Sequence, residues 1–72
     1  MISNNYLGFD TDVLDIVFRE SVEICPNEFM AKVVHERVQV TKCALEYVTG
    51  ASASVDYSGQ PGIWYVRARR NV

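Results

Sequence analysis

Apolar residues become periodic after Asp10. Val13, Leu14, Val17, Phe18, Ser21, Val22 and Cys25 recur at the spacing of one helical stripe, and Asp12, Asp15, Arg19, Glu20 and Glu23 fall on the opposite side. Asp10, Thr11 or Asp12 can cap the start, where negative charge also suits the helix dipole. A strand is the second reading of this segment. Leu14, Ile16, Phe18, Val22 and Ile24 alternate, with Glu20 interrupting. Cys25-Pro26-Asn27-Glu28 then reads as a helix start, with Pro26 at the first helical position and Glu28 in the first turn. The predicted helix continues through Phe29, Met30, Val33 and Val34. Residues 42–48 are also helical in pattern, and Gly50 is a suitable left-handed terminator.

The middle of the chain decides the fold. His35-Glu36-Arg37-Val38-Gln39-Val40-Thr41 holds three β-branched residues and neither Ala nor Leu, which is poor helix material. Residues 26–49 form either one long helix or two helices with a break near Arg37-Val38-Gln39. The unbroken helix would place Arg37 on the stripe of Val33, Val34, Val38 and Leu45, which favours the break. After Gly50 the period changes to two. Ala53, Val55 and Tyr57 alternate with Ser54, Asp56 and Ser58, and Ile63 and Tyr65 alternate with Trp64 and Val66. Between them Gly59-Gln60-Pro61-Gly62 is a turn, so residues 53–68 are expected to form a β-hairpin.

Composition narrows the class. With 49% hydrophobic and 22% charged residues, this 72-residue chain is a small globular domain. Residues 11–69 are read as the domain, 1–10 as a flexible arm anchored by Tyr6 and Phe9, and 70–72 as a tail. No apolar run approaches the roughly 18 residues that span a bilayer. The N-terminus has neither a basic start nor an apolar stretch, so a cytoplasmic location is expected, with Cys25 and Cys43 reduced. Net charge is −2, but it is unevenly spread. Residues 1–28 carry Asp10, Asp12, Asp15, Glu20, Glu23 and Glu28 against Arg19 alone. Residues 29–72 carry Lys32, Arg37, Lys42, Arg67, Arg69 and Arg70 against Glu36, Glu46 and Asp56. Such a split lets an acidic chain present a phosphate-facing surface.

No catalytic, metal or cofactor site is expected. His35-Glu36 begins like a zinc-protease motif, but Gln39 stands where the second His is required. Cys25, His35 and Cys43 lack metal-ligand spacing, and so short a chain leaves little room for an enclosed catalytic pocket. Trp64 and Tyr65 read first as hairpin residues covering the core, with an exposed partner anchor as the sharper reading. Arg67, Arg69 and Arg70 read equally as a solvated terminus or as phosphate contacts.

Val40-Thr41-Lys42-Cys43-Ala44-Leu45-Glu46-Tyr47-Val48 resembles the recognition helix of small bacterial winged-helix regulators, including the GntR type and the fimbrial regulators. The glycine-bearing turn followed by Ile63-Trp64-Tyr65-Val66 is similar to their wing. His35-Glu36-Arg37 departs from the small turn residue usual in those families. The resemblance implies an α+β winged helix-turn-helix, three helices followed by a C-terminal hairpin wing, that binds double-stranded DNA as a transcriptional regulator. Gln39, Thr41, Lys42 and Glu46 would face base edges in the major groove, and Ser58, Gln60, Arg67, Arg69 and Arg70 would hold phosphates or the minor groove. With so few cations, a homodimer or a protein partner bound through acidic residues 10–28 is expected as well.

The alternative architecture is β-α-β-β, with one long helix across a three-stranded antiparallel sheet. That arrangement looks like small phage-encoded inhibitors of host proteins, including anti-CRISPR proteins and polymerase inhibitors. It implies binding of a host protein through the acidic N-terminal half.

Overall fold

The computed structural model of the chain describes residues 5–6 and 8–70. Its element order is β1 (Asn5–Tyr6), β2 (Phe9–Asp10), α1 (Thr11–Arg19), β3 (Val22–Cys25), β4 (Glu28–Val34), a 3-10 turn (His35–Arg37), α2 (Val38–Thr49), β5 (Ser54–Tyr57) and β6 (Ile63–Arg69). The residues expected to form a flexible arm are partly tied down. β1 pairs with β2 across Gly8, which has φ 86°, and Phe9 packs against the core. Residues 1–4 of that arm, Leu7, and residues 71–72 of the expected tail lie outside the described residues.

α1 forms where the periodicity places it. The Asp10 side chain caps it by accepting from the Asp12 N–H at 2.9 Å, and Leu14 and Val17 are its buried stripe. It ends earlier than the stripe suggests, with the Ser21 N–H donating to the Phe18 carbonyl at 2.9 Å. Residues 22–25 become strand β3 instead.

The main departure from the sequence reading is at Pro26. Pro26-Asn27 is a tight turn, not a helix start: Asn27 has φ 68°, and its N–H donates to Glu23 Oε2 at 3.1 Å. Pro followed by Asn with positive φ is the residue preference of a type II turn, which joins β3 to β4. Phe29, Met30, Val33 and Val34 satisfy the helical spacing, yet Phe29, Ala31 and Val33 also satisfy the spacing of a strand. Small Ala31 conceals that alternation. The helix expected over 26–34 is therefore β4, and the described residues contain two α-helices where three were expected. The single long helix of the alternative architecture is absent as well. The break expected near Arg37-Val38-Gln39 does not divide two α-helices: strand β4 leads through the 3-10 turn into α2, whose first residues are Val38 and Gln39. α2 ends at Gly50, with φ 72° and its N–H donating to the Glu46 carbonyl at 2.9 Å.

The expected hairpin is also present. β5 and β6 pair through Val55 with Val66 and Tyr57 with Trp64 around the turn at 58–62. The sheet order is β3-β4-β6-β5, antiparallel throughout. β4 and β5 therefore run parallel with β6 inserted between them, and α2 makes the connection as a split βαβ unit. The result is an α+β fold with both helices on one face of the sheet. Leu45, Val66 and Ala68 form one buried cluster with Phe29, Val33 and Val38 against it. Leu14, Val17, Cys43 and Ala44 form another between α1 and α2. Phe18 joins the two, with its ring 5.0 Å from that of Phe29. Because strand side chains alternate, Met30, Lys32, Val34, Ile63, Tyr65 and Arg67 lie on the outer face of the sheet.

Candidate protein-interaction surface

The fold disperses the residues expected to contact DNA. α2 lies between α1 and the sheet, so it is covered on two sides. Gln39 is exposed, Lys42 and Glu46 are half-buried, and Thr41 is wholly buried. Thr41 therefore presents no side-chain surface on the outside of α2. Glu46 accepts from the Ala53 N–H at 3.0 Å, which ties the end of α2 to the entry of β5. At the hairpin tip the Ser58 hydroxyl donates to the Ile63 carbonyl at 2.7 Å and accepts from the Gln60 N–H at 3.1 Å, so it is a turn-closing group. Gln60 is exposed. On the outer face of the sheet Arg67 is held by Asp56 at 3.3 Å and by Glu28 at 3.9 Å. Arg69 is exposed, and the Arg70 guanidinium lies 5.4 Å from the centre of the Phe29 ring.

The acidic half behaves differently. Asp10 caps α1, Glu20 pairs with Arg37 at 2.9 Å, Glu23 holds the Pro26-Asn27 turn, and Glu28 is near Arg67. The carboxylates of Asp12 and Asp15 have no hydrogen bond or ion pair among the described residues, and both residues are exposed on α1. Beside them stand Val13, 43% exposed, and Ile16, 58% exposed. Positions 12, 13, 15 and 16 are neighbours at helical spacings, so two carboxylates flank an apolar pair on one outward surface. The spacing of Val13 places it on the apolar stripe. The buried positions are only Leu14 and Val17, a narrower stripe that leaves Val13 at its margin.

Other candidates resolve into structure. Trp64 is half-buried, with Tyr57 at 5.2 Å and His35 at 6.4 Å between ring centres, closing one end of the sheet. Cys43 is core and Cys25 is exposed on β3. Among the described residues no three His, Cys, Asp or Glu side chains converge, and no helix is long and apolar enough to cross a membrane. No protein family, curated protein or solved structure matches the chain.

Proposed function

We propose that this chain is a small non-enzymatic protein-binding domain that engages a partner through the outer surface of α1. The observation that carries this reading is the exposed Val13–Ile16 pair flanked by Asp12 and Asp15. Single exposed aliphatics are ordinary on a protein surface. Two adjacent ones, bordered by carboxylates that have no partner among the described residues, form a small apolar centre with a charged rim, which is the anatomy of an interface. The partner should present a cationic edge around an apolar depression. The class of small inhibitors that bind a host protein through an acidic surface fits this chemistry. Double-stranded DNA fits less well, because α2 buries Thr41 and the hairpin commits Ser58 and Arg67 to internal bonds.

The test is affinity capture from a bacterial lysate with wild type and with an Asp15→Lys, Ile16→Asp variant. A stoichiometric protein held by wild type and lost by the variant supports the reading. Equal capture by both, or no capture together with salt-sensitive duplex DNA binding that needs Lys42 and Arg69, overturns it.

A further inference from the structure

β4 has a free edge. The Asn27 carbonyl accepts from the Arg70 N–H at 2.6 Å, and the His35 N–H donates to the Gly62 carbonyl at 2.8 Å. Alternate residues of a strand turn their backbone groups to opposite sides, so odd-numbered residues of β4 face β6 and even-numbered ones face β3. β3 pairs with Glu28 and Met30, and its chain then leaves the sheet to join α1. Lys32 and Val34 are left with no strand beside their N–H and C=O groups among the described residues.

A cleft of about 400 Å³ opens beside this edge, with Val17, Ala31 and Val33 as its apolar wall and the Glu20–Arg37 ion pair at its rim. Thr41 also lines it. Thr41 is 0% exposed, and its Oγ1 has no hydrogen-bond partner among the described residues. A buried hydroxyl without a partner is destabilising, and Val would fill the same space without that penalty. A hydroxyl at this place is explained by a ligand that completes it.

We infer that the free edge of β4 receives an extended segment of a partner protein, which continues the lane of β3 and seats one side chain in the cleft toward Thr41. This inference rests on the reading of the chain as a protein-binding domain but uses a surface other than the outward face of α1 that carries Asp12, Val13, Asp15 and Ile16. Unpaired N–H and C=O groups at strand spacing call for a ligand with the same groups at the same spacing, which is a peptide backbone. Side-chain alternation sets the rest of the pattern. Opposite Lys32, on the outer face, stands a carboxylate, because Lys32 has no ion pair among the described residues. Opposite Val33 the side chain enters the cleft, and it is small with a hydroxyl to meet Thr41. Opposite Val34, 44% exposed, it is aliphatic. Running antiparallel to β4, as β3 does, the segment reads Val-Thr-Glu.

The experiment is titration of the isotope-labelled full chain with capped peptides Gly-Ser-Val-Xaa-Glu-Ser-Gly, where Xaa is Thr, Ser or Val, and with Gly-Ser-Val-Thr-Lys-Ser-Gly and Gly-Ser-Pro-Thr-Glu-Ser-Gly, followed by amide chemical shifts. The Thr and Ser peptides should give saturable shifts at Lys32, Val34 and Thr41 and slow the exchange of the Lys32 and Val34 amide protons. The peptide with Pro opposite Val34 should not, because its ring removes the N–H that would donate to the Val34 carbonyl. Thr41→Val should melt at a higher temperature yet lose the preference for Thr over Val at the central position. Lys32→Glu should transfer binding to the peptide with Lys in place of Glu. No saturable shift with any peptide, shifts centred elsewhere, or a Thr41→Val variant with unchanged selectivity overturns the inference. Partner capture that depends on α1 alone, with these titrations silent, removes the edge site and leaves the α1 surface standing.

Discussion

Asp10 and Asn27 do much of the local work of the N-terminal half. Asp10 supplies the acceptor for the first turn of α1, whose amide groups otherwise lack partners. Asp10→Ala should lower stability by about 1 kcal/mol in urea unfolding. Asn27 holds a backbone angle of φ 68°, a region open to Gly and tolerated by Asn but strained for β-branched residues. Asn27→Gly should leave the unfolding midpoint nearly unchanged, and Asn27→Val should lower stability by about 1–2 kcal/mol. Equal effects of the two substitutions would show that the turn does not depend on this conformation. The ion pairs count for less. Arg67 and its partner Asp56 are each about half exposed, so their attraction is screened and worth little in stability.

At the scale of elements, the informative stretch is the hairpin of β3 and β4. Its side chains serve both periods, since aliphatic and aromatic residues at i, i+1, i+4 and i+5 describe a helical stripe and at i, i+2 and i+4 a strand. Pro26 is equally ambiguous, suiting both the first position of a helix and the second position of a turn. β4 is decided by pairing, as it lies between β3 and β6 with Ala31 opposite Val66 and Phe29 opposite Ala68. A helix over the same residues would leave Val66 and Ala68 without that neighbour. Backbone chemical shifts should be extended across Glu28–Val34 and helical across Val38–Thr49. Helical shifts over the first range would contradict the sheet order described above. The segment containing Gly59 and Gly62 was legible for the opposite reason: alternating runs around a turn with two positive-φ glycines admit no competing helix.

For the whole molecule, stability depends on α2 being sandwiched between α1 and the sheet. Leu45 sits at that junction, fully buried with Val66 and Ala68. Leu45→Ala should cost about 2–5 kcal/mol. For a chain this small, that is a large fraction of the total, so circular dichroism should show a much lower melting temperature or a largely unfolded population. The Asp15→Lys, Ile16→Asp variant should behave oppositely, staying close to wild-type stability, because neither side chain is buried. That contrast separates the surface of α1 from the core beneath it. The same sandwich limits which residues of α2 reach the surface. A helix enclosed on two sides offers only Gln39 and the half-buried Lys42 and Glu46 from the set expected to read bases.

What the sequence determined by itself was local. The start of α1 at its cap, the stop of α2 at Gly50 and the C-terminal hairpin each follow from residues acting on their own backbone within a few positions. The acidic character of the N-terminal half was also legible, since charge can be counted directly. The tertiary structure alone decided the rest. It made residues 28–34 a strand, because strand pairing joins partners far apart in sequence and periodicity cannot name them. It chose which carboxylates are engaged and which, Asp12 and Asp15, are left around Val13 and Ile16. It also created the free edge at Lys32–Val34 and the buried hydroxyl of Thr41 beside it. Neither has a sequence signal, because both depend on where β3 ends relative to β4, and that is set by the point at which α1 turns back onto the sheet.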